Sequence, residues 1–241
     1  MVDRARFSRL GPTVTALKEA GAHALELGFP FSDPIADGPV LEAAANAALR
    51  HGTTWNDLLR AARITSRIVP TAVMTYANPV LRRGLERGMG ELVAAGVSGL
   101  IVPDLSLEES VPWRRAARRS GLSLVLLAAP GASADRIRSI ARASRGFFYL
   151  VSRYGTTGAA REHGPVDLAP LVREAHRGAP RLPVLIGFGV RDRASATRAL
   201  ATGADGVVIG TALEEQLERD PRPTSLRHWL EAIARSGSAP A

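Results

Sequence analysis

Cysteine is absent from the 241 residues, and lysine occurs once, as Lys18. The first absence excludes disulfides, thiolate nucleophiles and cysteine-held metals, and it fits a reducing compartment. The second leaves a single side chain for Schiff-base chemistry. No apolar run approaches the roughly 18 residues that cross a bilayer, and the charged stretch from Met1 to Leu10 has no signal-like apolar run behind it. The expected location is therefore the cytoplasm, with no membrane partner. The histidines, His23, His51, His163, His176 and His228, show no ligand spacing, so neither a metal nor a cofactor is expected.

What is present starts with charge. The net charge of +8 and pI near 11.1 would suit a nucleic-acid partner, but the arginines are scattered along helical segments. In Trp113-Arg114-Arg115-Ala116-Ala117-Arg118-Arg119 they read as a solvated helix face, and no basic stripe carries interleaved aromatics. No nucleic acid is expected.

Short β-branched apolar runs alternate with longer stretches of helical period, the pattern of repeated βα units around a parallel sheet. Strands are predicted at 22–28, 71–76, 99–103, 123–127, 147–151, 183–188 and 206–210. Helices are predicted at 13–20, 40–50, 55–68, 85–95, 107–120, 134–143, 167–175, 194–201, 213–217 and 225–234. Gly21, Gly96, Gly121 and Gly203 fall where helices stop, as left-handed caps do. With 46% hydrophobic residues the length suits one (β/α)8 TIM barrel, a single domain over 1–235 with a disordered tail at 236–241. An open doubly wound sheet competes, but it usually has a Gly-rich first turn, which is missing. Seven strands against the barrel's eight is the anomaly, and the chain begins in the helix that should follow a first strand.

Barrel sites gather at the carboxyl ends of the strands, with phosphate held after the last two. There the sequence offers Gly187-Phe188-Gly189 and Gly210-Thr211, the second running straight into a helix whose bare N–H groups can face an anion. Thr156-Thr157-Gly158 supplies a third glycine approach. Glu26 lies inside the apolar run Ala22-His23-Ala24-Leu25-Glu26-Leu27-Gly28, where an unpaired charge is costly. Asp37 follows in a loop dense in Pro, Gly and Asp. The two carboxylates can converge as an acid/base pair, one with a raised pKa and one better solvated. Lys18 sits on a helix, which excludes a Schiff-base aldolase. A carbon–carbon cleavage run by carboxylates alone needs a substrate with its own electron sink, and an indole ring fits.

The stretch Leu25-Glu26-Leu27-Gly28-Phe29-Pro30-Phe31-Ser32-Asp33-Pro34-Ile35-Ala36-Asp37-Gly38-Pro39 resembles the signature of the tryptophan synthase α chain family. The resemblance continues through Met74-Thr75-Tyr76-Ala77-Asn78-Pro79, Pro103-Asp104-Leu105-Ser106, Tyr149-Leu150-Val151-Ser152-Arg153, Gly155-Thr156-Thr157-Gly158, Gly187-Phe188-Gly189 and Gly210-Thr211. It implies retro-aldol cleavage of indole-3-glycerol phosphate to indole and D-glyceraldehyde 3-phosphate, without cofactor, beside a β subunit in an α2β2 assembly. On that resemblance Glu26 is the general acid/base and Asp37 the carboxylate that meets the indole N–H. Tyr76, Tyr149, Thr157 and Phe188 bind substrate; Gly158, Gly189, Gly210 and Thr211 hold phosphate. Residues 31–34 and 76–79 face the β subunit. Tyr154 and Thr156 depart from the family's usual smaller or apolar residues, and Thr211 stands for the usual serine. The family's first strand has no counterpart, for which a misplaced start is preferred over a gap filled by a partner or a degenerate relative. A regulatory subunit and a stand-alone indole-producing lyase are the alternative functions.

Overall fold

The computed structural model describes residues 1–152 and 167–234. Its strands are β1 (Leu25–Gly28), β2 (Thr71–Met74), β3 (Gly99–Ile101), β4 (Ser123–Val125), β5 (Leu127–Ala128), β6 (Phe148–Val151), β7 (Val184–Gly187) and β8 (Gly206–Val207). The helices are α1 (Phe7–Glu19), α2 (Pro39–Arg50), α3 (Trp55–Thr65), α4 (Ala77–Arg83), α5 (Leu85–Ala94), α6 (Ser110–Ser120), α7 (Ala134–Ala143), α8 (Ala169–Gly178), α9 (Arg193–Leu200), α10 (Thr211–Arg219) and α11 (Pro223–Ala234). All pairings are parallel, in the orders β1-β2-β3-β4 and β5-β6-β7-β8. Helices intervene between every two paired strands, as a parallel sheet requires.

Each predicted strand is found, every one of them shortened or cut, the last most of all, from 206–210 to Gly206–Val207. The run at 22–28 pairs only from Leu25. The run at 123–127 breaks at Leu126, whose N–H donates to the Ser144 hydroxyl at 3.0 Å instead of joining a ladder. The caps hold: Gly21, Gly96, Gly121 and Gly203 have φ of 102°, 88°, 74° and 89°. Helix α4 is a correction, since no helix is predicted between the strand at 71–76 and the helix at 85–95. Proline is tolerated in a first turn, and the first N–H of this one, Ala77, is held by the Asp104 carboxylate at 2.9 Å.

Register divides the side chains between two cores. Ile101, Val125 and Tyr149, with Ala72, Met74, Leu127 and Phe188 against them, fill the inside of the barrel. A larger cluster, running from Val2 to Ile233, lies between strands and helices. Glu26 pairs with Ala72, Ala72 with Gly99, and Gly99 with Ser123, so the carboxylate shares its interior layer with small residues that leave it room. On β6 and β7 the reverse holds. A Cβ at Gly187 would come within 2.6 Å of the Tyr149 ring, so that ring fits only beside glycine.

Among the described residues no strand pairs with the outer edge of β1 or of β8. Residues 1–3 lie there instead. The Val2 N–H donates to the Gly28 carbonyl at 2.7 Å, and Glu214 of α10, itself buried, accepts from the Met1 amino group at 3.1 Å and from Arg6 at 2.7 Å. A cavity of about 120 Å³ remains beside them, lined by Val2, Leu10, Leu27 and Leu217 among others.

Candidate active site

Glu26 points into the barrel from β1. It keeps some accessible surface but is surrounded by protein, as a group at the bottom of a cleft is. Desolvation pushes its pKa from 4.5 up to about 7; the Met1 amino group opposes the rise and the Asp37 charge adds to it. A carboxyl that titrates near neutrality can donate and accept protons in one turnover.

Asp37 sits in the loop that leaves β1. Desolvation raises its pKa, against the opposing effects of a hydrogen bond from Tyr76 and the Met1 amino group, while Glu42 adds to the rise. Tyr76 follows β2 and is buried, with its hydroxyl accepting from the Ala36 N–H at 2.9 Å and its ring stacked on Phe31 at 5.3 Å. Tyr149 is buried on β6. Desolvation and the charges of Glu26 and Asp37 hold its phenol well above 10, hence protonated. These four side chains form one electrostatic cluster.

Aromatic rings wall it. Tyr149 lies 5.9 Å from Phe147 and 5.7 Å, edge-on, from Phe188. Phe188 has φ 64°, the only positive value at a non-glycine among the described residues, a conformation that costs about 1–2 kcal/mol. Its carbonyl is held by the Ser152 hydroxyl, and the Gly187 carbonyl by the Ser152 N–H at 3.0 Å. Gly189 follows with φ 127° and is exposed.

Gly210 caps α10, and a Cβ there would meet nothing within 4 Å. With Thr211 exposed as the first helical residue, the helix amino terminus opens to space where an anion can sit. Thr157 and Gly158, like Arg153, Tyr154, Thr156 and His163, lie outside the described residues, as does the tail at 236–241. Among the described residues no group of three His, Cys, Asp or Glu could hold a metal, and no helix is long and apolar enough to cross a membrane.

The family model described as "Tryptophan synthase alpha chain" matches residues 4–235. This chain belongs to the tryptophan synthase alpha chain family. The tryptophan synthase alpha chain of Synechococcus elongatus is 44% identical over 205 residues, 84% of this chain and 76% of that one. The relative from Synechocystis is 41% identical over 231 residues, 94% of this chain and 86% of its own. A chain of the tryptophan synthase α2β2 complex from Pyrococcus furiosus superposes with a TM-score of 0.84 at 37% identity, covering 95% of this chain and 93% of that chain. One from Mycobacterium tuberculosis tryptophan synthase, in its aminoacrylate-bound form, gives 0.81 at 36%, covering 95% and 86%. The barrel expected for a tryptophan synthase alpha chain is the fold of these structures.

Sequence reasoning quoted Ser152, Asp104 and Gly187 within motifs but missed the role of each. Ser152 fixes the Phe188 turn, Asp104 starts α4 directly after Tyr76, and Gly187 makes room for Tyr149. Only Gly187 left a signal, as a glycine at the end of an apolar strand.

Proposed function

We propose that this chain is the α subunit of a tryptophan synthase, cleaving indole-3-glycerol phosphate to indole and D-glyceraldehyde 3-phosphate through Glu26 and Asp37. The observation that carries the reading is Glu26 itself, a carboxyl titrating at about 7 inside the barrel and facing a second carboxylate. Protonated Glu26 delivers its proton to indole C3, and the positive charge that reaches the ring nitrogen is met by Asp37. The bond from C3 to the glycerol carbon then breaks. Its electrons restore the aromatic ring, and the adjacent hydroxyl returns a proton to Glu26 as the aldehyde forms, so the enzyme ends as it began.

Phe188, Tyr149 and Tyr76 wall the ring, and Gly189, Gly210 and Thr211 take the phosphate, with Thr157 and Gly158 assigned by resemblance. Residues 1–235 act as one domain, a reading supported by the core cluster that reaches from Val2 to Ile233. A β subunit, in an α2β2 assembly, docks on residues 31–34 and 76–79. Ile35 at 70% exposure and Leu81 at 52% stand beside these segments as apolar residues for such a partner to cover. The cytoplasm is the compartment that suits a cysteine-free biosynthetic enzyme.

The test is indole release from indole-3-glycerol phosphate by the purified chain, with and without a β subunit. Turnover that rises on adding the β subunit is expected. Binding of a β subunit without any turnover would make this a regulatory subunit instead.

A further inference from the structure

Asp37 lies on a loop with little support of its own. Within that loop the Ile35 N–H reaches the Asp33 carbonyl at 2.9 Å and the Asp37 N–H reaches Pro34 at 3.0 Å, both local turns. Tyr76 is the stronger tether. The Ala36 N–H donates to its hydroxyl at 2.9 Å, the Phe31 ring stacks on its ring at 5.3 Å, and the Asp37 carboxyl is close enough to that hydroxyl for each to shift the titration of the other. Tyr76 is itself fixed on both sides. The Thr75 N–H donates to Ile101 at 3.0 Å, and the Ala77 N–H to Asp104 at 2.9 Å.

A phenol has one proton and two lone pairs. With the Ala36 N–H on the oxygen, the remaining role of the hydroxyl is to donate, and Asp37 is the acceptor. We propose that Tyr76 is a positioning residue: its hydroxyl, fixed by the Ala36 N–H, aims its proton at Asp37 and sets how that carboxylate meets the substrate ring. The inference rests on the reading of Asp37 as the group that stabilises ring charge. Burial and the charges of Asp37 and Asp104 raise the Tyr76 phenol, so it stays protonated wherever Asp37 is ionised. Glu42 on α2 and burial both favour a protonated Asp37, and the Met1 amino group opposes them. Loss of the Tyr76 bond therefore moves Asp37 toward higher pKa.

Tyr76→Phe separates this role from that of a pocket wall, because it keeps the ring and removes only the hydroxyl. The expected result is a kcat lower by roughly 10- to 100-fold, the worth of a hydrogen bond to a charged group. KM changes little, and the acidic limb of the kcat profile, identified as the limb that Asp37→Asn removes, moves to higher pH. Fluorotyrosine at position 76 keeps the fold and makes a stronger donor, so it moves the same limb to lower pH. An unchanged kcat and limb in Tyr76→Phe, or an unmoved limb with fluorotyrosine, overturns the proposal. If Asp37→Asn is fully active, the reading of Asp37 falls instead, and with it the basis of this one.

Discussion

Replacing Glu26 by glutamine preserves the shape of the side chain and removes its proton equilibrium, so its effect on stability must depend on pH. In the unfolded chain the carboxyl titrates near its ordinary 4.5, and in the folded barrel near 7. Below pH 4.5 both states hold the proton, and wild type and variant should differ only by a small, constant amount. Between 4.5 and 7 the folded state binds more protons than the unfolded one, so wild-type stability falls as pH rises. Above 7 both states are ionised and the loss is complete. At about 1.4 kcal/mol per pKa unit, the shift amounts to about 3 kcal/mol. Urea unfolding of the two proteins at pH 4.5, 6, 7 and 8.5 reads this directly. Glu26→Gln should gain on wild type through that window and stay ahead by about 3 kcal/mol above it. A gap that does not change with pH, or a variant less stable at pH 8.5, would refute the placement of Glu26 in a desolvated cleft.

Other outcomes follow from the same geometry. Glu26→Gln should release no indole from indole-3-glycerol phosphate yet bind glycerol phosphate with nearly wild-type affinity in calorimetry. Gly210→Val places its side chain in open space, so thermal stability should hold while the dissociation constant for glycerol phosphate rises at least tenfold; unchanged binding removes the phosphate cradle. Gly187→Ala drives a Cβ against the Tyr149 ring. It should cost about 1–3 kcal/mol in urea unfolding, as overpacked cores do, and raise KM, whereas a silent substitution would mean that Tyr149 does not sit there.

Much of the barrel was legible because buried parallel strands are short, apolar and β-branched, as Thr71-Ala72-Val73-Met74 and Val184-Leu185-Ile186-Gly187 are. The helix stops were legible too, since Gly21, Gly96, Gly121 and Gly203 mark left-handed turns that other residues avoid. What could not be read depends on partners distant in sequence. The break at Leu126 is made by Ser144, and the start of α4 by Asp104, 27 residues beyond Ala77. The site shows the same division. A charge inside an apolar run singles out Glu26, and a loop of Pro, Gly and Asp singles out Asp37. Nothing in the sequence around Tyr76 tells that the loop holds its hydroxyl as well as its ring.

The interruption at Leu126 also sorts the chemistry. Glu26, Asp37 and Tyr76 come from the β1–β4 half, whereas Tyr149, Phe188, Gly189, Gly210 and Thr211 come from the β5–β8 half. Proton traffic is thus assigned to one four-stranded ladder, and the grip on ring and phosphate mainly to the other. Distant substitutions without shared partners act independently, so the two halves can be retuned separately. Changes at Gly189 or Gly210 alter which phosphate ester is held while leaving the acid/base pair intact. A new electron-accepting ring, by contrast, asks for adjustment on both sides of Leu126, because Tyr149 reaches across to the Glu26 and Asp37 charges.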